Sequence, residues 1–390
     1  MRFLWKDLRY RRWRAVLTVA GVASLSMMIL LFGGIMRGLR WQAHHFVDST
    51  DADVWISRER SGGVFVGFTL LNSETVVPAV SGVGGPRILN IDEKDGHRGV
   101  YPFIFAPSRP TIRKKNMEQE VKAVVVGYRA GKLGGPKRSE IARGRMFQSS
   151  KEYAPGRDIP MECVVDDSLG LEIGELVEVG GYELRVVGIV EGMMFVFDTP
   201  LIFTDINVAR RVALEDVIYV NTFLVKADEE DGAADLAGVL SEGLLGVDVH
   251  TTEETIGNIL KNYVDEPMRG VQFLRILLWI ASALIVGMIS YVTTFEKTRE
   301  IGVMKAVGAD NGYVMRLILN QIGLMSVLGV LLAVALAYAA VPFFPIFVLI
   351  NPTEACVVSG VSLAVCLLGG WFAARRAARV DPMIAFRGEV

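Results

Sequence analysis

The sequence is poor in the residues that staple a fold or carry chemistry. Three of its 390 residues are cysteine, namely Cys163, Cys356 and Cys366, and two of them sit inside an apolar run. That excludes a disulfide framework and a zinc knuckle. The four histidines, His44, His45, His97 and His250, show no metal-ligand spacing with cysteines or carboxylates, so they read as surface or core side chains. There is no G-x-S-x-G elbow for a serine hydrolase. Gly131 to Gly135 precede Pro136-Lys137-Arg138-Ser139 but lack the Gly-Lys-Ser/Thr ending of a phosphate loop. Asp166-Asp167, ahead of Ser-Leu-Gly, reads as a helix cap rather than a catalytic carboxylate pair. A net charge of −2 and a pI near 6.2 exclude a general nucleic-acid-binding chain, although three local basic clusters hide in that average.

Apolar residues are abundant: 51% of the chain is hydrophobic against 22% charged, with a mean hydropathy of +0.37. Four runs are long enough, at about 1.5 Å per residue, to cross a hydrocarbon core about 30 Å thick. They cover Ala15 to Met36, Phe273 to Phe295, Tyr313 to Ala340 and Ala355 to Ala374, with Arg316, Asn320 and Gln321 keeping the third polar at its start. The basic start (Arg2, Lys6, Arg9, Arg11, Arg12, Arg14) resembles a signal-peptide n-region. The run that follows is about 22 residues long with no convincing small-x-small cleavage site, which favours an uncleaved anchor. Lysine and arginine counts place that start, the loop bearing Lys297, Arg299, Lys305 and Arg316, and the tail with Arg375, Arg376, Arg379 and Arg387 in the cytoplasm. Arg37 and Arg40 oppose the rule and are outvoted. Val341 to Thr353, with three prolines and no lysine or arginine, suits an external loop partly buried in an interface.

The expected fold class is therefore an α-helical membrane protein with four transmembrane helices and a large mixed α/β extracytoplasmic domain inserted between helices 1 and 2. The divisions are residues 1–14, an N-terminal cytoplasmic segment; 15–40, the first helix and stalk; 41–270, the extracytoplasmic domain; 271–295, the second helix; 296–311, a cytoplasmic loop; 312–340, the third helix; 341–353, the external loop; 354–374, the fourth helix; and 375–390, a cytoplasmic tail. The N-terminal segment, with Leu4, Trp5 and Leu8 on one side, reads either as an amphipathic helix on the inner leaflet or as a positive flank that only sets topology. In the inserted domain, Asp51 to Ser57, Lys122 to Tyr128 and Thr222 to Ala227 read as strands. Glu175 to Val190 reads as a hairpin turning at Gly180-Gly181, with Val177, Val179, Tyr182, Leu184 and Val186 on its buried face. Thr204 to Ala213, Asp228 to Leu245 and Thr251 to Tyr263 read as helices, the last started by Thr251-Thr252-Glu253-Glu254. Ser61 to Gly63 and Gly82 to Pro86 look like flexible loops or subdomain joints.

The loop EKTREIGVMKAVGADN is the most informative stretch. Helix formers fill Glu296 to Val307, Gly308 is placed to stop the helix, and Asp310 can cap the next one. Ile301, Met304, Lys305 and Gly308 share one face, an apolar ridge that in so short a loop calls for a groove on another protein rather than a merely solvated turn.

At this loop the chain resembles the permeases of the FtsX/MacB/LolC class of ABC transporters, also called type VII or mechanotransmission systems. Their R-E-I-G-x-x-K-A-x-G-A helix is matched by Arg299-Glu300-Ile301-Gly302, Lys305-Ala306 and Gly308-Ala309. Their C-terminal R-R-A-A-R-x-D-P-x-x-A-x-R is matched by Arg375 to Arg379, Asp381-Pro382, Ala385 and Arg387. Gly144 to Phe147, Leu171 to Val190 and Pro200 to Asp205 are also family-like, whereas Gln321 stands where an acidic residue is frequent and Ala373-Ala374 replace a frequent proline. The resemblance implies a MacB-like periplasmic core domain and a stand-alone permease without a fused ATPase, of the DevC or LolC kind. ATP and Mg would be used by a separate ABC ATPase subunit, with no cofactor bound by this chain and no catalytic or metal residues. It further implies a second copy or a paralogous permease, and in some branches a periplasmic adaptor or membrane fusion protein, in contact with membrane lipid and not with nucleic acid. The setting would be a bacterial cytoplasmic (inner) membrane with both termini inside.

The ATPase-coupling helix then comprises Glu296, Arg299, Glu300, Ile301, Gly302, Met304, Lys305, Ala306 and Gly308. Gly34-x-x-x-Gly38 and Ala283-x-x-x-Gly287 are small-residue faces for dimer or helix packing. The expected function is ATP-driven export or extrusion of a lipophilic substrate, such as a lipid, glycolipid, lipoprotein or drug, through movements of the outside domain. The alternative is a transmembrane lever regulating an extracytoplasmic cell-wall hydrolase, and a membrane-anchored enzyme stands third for want of any catalytic constellation.

Overall fold

The computed structural model describes residues 12–66, 69–89, 99–114, 117–149, 160–215, 219–229, 232–296 and 298–378. The expected N-terminal segment with Leu4, Trp5 and Leu8, Lys297, His97, and the tail motif from Arg379 to Arg387 lie outside the described residues. The chain divides into a unit of residues 39–267 and a unit of residues 1–38 with 268–390.

The second unit is built on helices Arg12–Ser49, Glu266–Glu296, Asn311–Ala340 and Pro352–Ala378. Among the described residues four helices are long and apolar enough to cross a membrane, with mean hydropathies of 2.3, 2.1, 2.5 and 2.0 over an 18-residue stretch of each. Continuous helix is what lipid demands, because every backbone N–H and C=O must find its partner within the segment. Two small clusters hold these helices together: Val22 with Val286, Ile322, Val330 and Cys366, and Ile29 with Leu30, Ala337, Ala355 and Val358. Residues 341–353 begin with a short turn, Val341–Phe343, and return to the bundle, where the Leu349 amide donates to the Gly34 carbonyl at 3.0 Å.

The inserted unit is a mixed sheet with helices on it. From edge to edge its strands are Val247–Thr251, Val54–Arg58, Thr222–Val225, Val100–Ser108, Ala123–Tyr128, Thr199–Asp205, Glu162–Asp166, Tyr182–Val190, Leu176–Val179, Thr111–Lys114 and Met117–Glu120. Neighbours run antiparallel except Ala123–Tyr128 with Thr199–Asp205 and Glu162–Asp166 with Tyr182–Val190. The core lies along the central strands, whose both-faces-buried residues read as apolar runs: AVVVGY, and LIFTD within Thr199–Asp205.

Local sequence rules account for much of this. Gly180 (φ 57°) and Gly181 (φ 81°) make the two-residue turn of the expected hairpin, since both positions require left-handed backbone. Val177, Val179, Leu184 and Val186 are buried as the alternation implies, but Tyr182, next to the turn, is 43% exposed. Thr251 and Glu254 form a reciprocal capping box at the start of Thr252–Ile259. That helix then widens to a π-helical segment, Leu260–Asp265.

Three expectations need correcting. The helix expected from Thr204 starts at Ile206: Thr204 and Asp205 finish a strand, and the Asp205 carboxylate accepts from the Asn207 amide at 2.9 Å to cap the helix. The helix expected over Asp228 to Leu245 is confined to Ala233–Gly243. Gly82 to Pro86 is no joint; it is the end of helix Ser73–Gly84 and the turn Gly85–Arg87. Pro78 inside that helix obscures it in the sequence, while Asn72 caps it by accepting from the Glu74 amide at 2.8 Å.

Candidate functional site

The residues between the second and third membrane helices form a short, firmly terminated helix. Glu296 ends the preceding membrane helix, and the loop helix proper is Thr298–Ala306. Gly308 (φ 102°) stops it with the paired bonds of a Schellman motif: the Ala309 amide donates to the Met304 carbonyl at 2.9 Å and the Gly308 amide to the Lys305 carbonyl at 3.0 Å. The Asp310 carboxylate accepts from the Gly312 amide at 3.1 Å and so caps the next membrane helix, which begins at Asn311.

The outward face of this helix is not the expected one. Ile301 is 5% exposed and Gly302 is buried, so the centre of the proposed ridge packs into the chain itself. Met304 and Lys305 are half-buried, and Gly308 is exposed. The apolar side chains left outside are Val303, 49% exposed, and Val307, 85% exposed. At about 100° per residue these two lie roughly on the opposite side from Ile301, one turn apart. The periodicity identifies a face correctly but cannot say which of two apolar faces turns inward. The side chains of Arg299, Glu300 and Ala306 lie outside the described residues.

The small-residue faces, expected to serve dimer or helix packing, are occupied within the chain. A Cβ on Gly38 would run into the Phe347 carbonyl, and one on Gly34 would come within 2.6 Å of Val348 Cγ1. The returning loop therefore covers this face. Ala283 and Gly287 face Gly369 of the last helix, where a Cβ on Gly369 would be 2.5 Å from the Ala283 carbonyl oxygen. That is close helix-to-helix approach through small residues, inside one chain.

In the inserted domain the family-like Gly-Arg-x-Phe turn has a physical explanation. Gly144 (φ 87°) passes against the backbone of Val187, and the Arg145 amide donates to the Val187 carbonyl at 2.9 Å. The Arg145 guanidinium forks onto Glu162 at 2.9 and 2.5 Å, and Phe147 sits edge-on to Tyr128 at 5.4 Å. The hydrogen bonds from Arg145, with that of the Gln148 amide, hold the Glu162 carboxyl below the usual carboxylate range despite partial burial. Burial pushes Asp166 the other way, although its carboxylate accepts from the Ser168 amide at 3.0 Å and the Met193 amide at 2.8 Å. Asp166 is thus the cap that the sequence indicates, on the short turn Asp167–Leu169. Burial also raises the Cys163 thiol, leaving it without thiolate character.

Sequence reasoning misses an aromatic cluster, because its members are scattered along the chain. Phe65 and Phe195 flank Phe105 at 4.7 and 4.8 Å, Phe46 packs on Phe195 at 5.4 Å, and Tyr263 of the π-helical segment packs on Phe195 at 5.4 Å. The Tyr263 hydroxyl donates to the Phe65 carbonyl at 2.5 Å. Beside the cluster lies a cavity of about 450 Å³, apolar within and carrying Arg109 and Lys122 at its border. Among the described residues no group of three or more metal-ligating side chains comes together.

Comparison with known proteins draws these parts together. Residues 15–241 match the family model described as MacB-like periplasmic core domain, and residues 273–382 match that of FtsX-like permease C-terminal. The chain belongs to the FtsX/MacB family of ABC transporter permeases. An uncharacterized ABC transporter permease of Mycobacterium bovis is 25% identical over 383 residues, covering 98% of each chain. A candidate hemin transport system permease, HrtB, of Staphylococcus epidermidis is 22% identical, covering 100% of this chain and 99% of that one. Among solved structures, the periplasmic region of MacB from Actinobacillus actinomycetemcomitans aligns at 13% identity and a TM-score of 0.36, covering 54% of this chain and 93% of the other. As an FtsX/MacB-family permease, this is a multi-pass protein of the inner membrane whose inserted unit is the periplasmic core domain, and membership implies an ATPase subunit as partner.

Proposed function

We propose that this permease couples ATP hydrolysis, carried out with Mg by a separate ATPase subunit, to movements of its periplasmic core domain that extrude a lipophilic substrate. Two copies, or this chain and a related one, would share a pair of ATPase subunits, with both termini on the ATPase side. A periplasmic adaptor would complete the export path. The observation that carries the coupling reading is the loop helix Thr298–Ala306: it is fixed at its end by Gly308 and, among the described residues, leaves Val303 half exposed and Val307 largely exposed. An exposed apolar pair on a rigid helix suits insertion into a groove on a partner. Two features favour a lipophilic cargo. The cavity beside the aromatic cluster is apolar, and the Staphylococcus epidermidis relative is named for hemin, a flat apolar molecule with carboxylates.

The test is purification of the detergent-solubilised full chain from its native cell, with ATPase activity and co-purifying proteins read together. The wild type is expected to bring down an ABC ATPase. Val303→Glu combined with Val307→Glu should cut that recovery by about tenfold or more, the scale of losing a small interface hot spot. Recovery at the wild-type level in the double variant would place the docking face elsewhere. Ile301→Arg would be a poorer probe, because it forces a charge into the membrane unit's own packing.

A further inference from the structure

Among the described residues of the membrane unit, three of the six buried side-chain N and O atoms without a hydrogen bond lie at one place, and the other three are isolated serine hydroxyls. Glu354, in the first turn of Pro352–Ala378, approaches Arg37 at 3.2 Å through Oε2 and Arg275 at 3.9 Å through Oε1. Gly33 makes the approach possible: a Cβ there would collide with Glu354 Oε1 and stand 3.1 Å from Arg275 Nη2. Around this cluster Arg275 Nε, Glu354 Oε2 and Trp279 Nε1 are buried without a hydrogen bond. Arg37, Arg275, Trp279 and Glu354 border a recess of about 300 Å³, which is also lined by Val357, Val358 and Val361, the apolar residues that follow Glu354 on the same face of its helix.

Two guanidiniums against one carboxylate leave a positive charge over. A purely structural ion pair in a membrane protein would balance its charges and satisfy its donors, since both an excess charge and an orphaned N–H are costly in an apolar setting. Here the recess brings excess positive charge and unpartnered donors next to a run of valines. That is the complement of a molecule with an anionic head and an apolar body.

We propose that this recess holds the headgroup of an anionic amphiphile taken from the surrounding lipid leaflet. Its phosphate or carboxylate oxygens lie between Arg37 and Arg275 and accept from Trp279 Nε1, and its chains run along Val357, Val358 and Val361. Glu354 competes with the headgroup for the arginines and holds them apart when the recess is empty of lipid. The assignment deepens the export reading by naming the class of cargo, and rests on that reading only for what happens to the amphiphile next.

The full chain, reconstituted in phosphatidylcholine vesicles, offers a direct test through Trp279. Fluorescence quenching by dibrominated phosphatidylglycerol is compared with quenching by dibrominated phosphatidylcholine, and the Trp279→Phe protein supplies the background to subtract. The acidic lipid is expected to quench at about tenfold lower mole fraction, the scale of one charge-assisted hydrogen bond. Arg37→Gln and Arg275→Gln should each lower that selectivity, Arg275→Lys should keep most of it, and Glu354→Gln should raise it by removing the competing carboxylate. Misfolding cannot produce that last gain, so the sign of the Glu354→Gln effect decides the matter even where an arginine variant folds poorly. Equal quenching by the two lipids, or loss of selectivity in Glu354→Gln, would overturn the proposal. Relief of quenching by inorganic phosphate would also overturn it, by showing a site for a free anion. None of these readings involves the ATPase, so failure here leaves the coupling test on Val303 and Val307 untouched, and the reverse.

Discussion

Exposed leucine means opposite things in the two units. In the periplasmic core domain the largest apolar side chains, among them Trp55, Phe103, Phe203 and Phe223, are buried at the sheet. Along the membrane helices Leu284, Met288 and Leu331 stand out from the protein, Leu284 at 68% exposure. Facing water, such a surface would mark a binding site or an aggregation hazard. Facing lipid it costs nothing, because the surroundings are as apolar as the side chain, and the helices must be held by close fit instead. Glycine therefore does in one unit what large aromatic residues do in the other.

The sharpest way to break that contrast is truncation in both places. Trp55→Ala should cost about 3–5 kcal/mol in the core domain, whereas Leu284→Ala should change the stability of the membrane unit by less than about 0.5 kcal/mol. Hydrogen exchange on the full chain in detergent, followed separately in strand Val54–Arg58 and helix Glu266–Glu296, reads both. Comparable losses would mean that Leu284 packs on protein rather than lipid.

The converse experiment enlarges glycines. Gly38→Val drives a side chain into the Phe347 carbonyl and should cost about 1–3 kcal/mol, as overpacking does. Gly270→Ala, where a Cβ meets nothing within 4 Å, should instead stabilise its helix by up to about 1 kcal/mol. Thermal unfolding of the two variants should therefore move in opposite directions. A loss at both positions would show that glycine is wanted for helix flexibility rather than for close approach.

This contrast also sets what could be read from the sequence. The Gly180-Gly181 turn, the Thr251 capping box, the Gly308 stop and the Asp310 cap are legible because each is closed by neighbours within a few residues. Family membership is legible for the same reason, through short motifs. Gly34 and Gly38 are not, since their partner is a loop some three hundred residues later, and a small-x-x-x-small pattern does not say what covers it. Nor is the inward turn of Ile301, because lipid and protein interior accept the same residue types. Arg37 and Arg40, which oppose the positive-charge rule when counted alone, are ion-paired with Glu354 and Asp265. Their partners, too, are distant in the chain.

Single carboxylates differ in their surroundings both between and within the units, and acid titration gives the smallest and most specific test. The membrane unit leaves Glu354 Oε2 without a hydrogen bond, whereas the core domain gives Glu162 and Asp166, on one strand, donors of their own. Their shifts have opposite signs. Glu162 is held down, so its contribution is present above its unfolded pKa of about 4.3 and fades as pH falls through the folded value. Asp166 is pushed up, so its buried charge costs stability above the folded value, and protonation relieves that cost as pH falls toward the unfolded pKa of about 3.9. Glu162→Gln should then lower stability near neutrality by no more than about 1 kcal/mol, since Arg145 is half exposed, and the deficit should close on acidification. Asp166→Asn should do the reverse and steepen the acid decline, because the offsetting relief is gone. Melting temperature against pH for the three full-length proteins checks both. Parallel curves would mean that the two carboxylates are indifferent to folding.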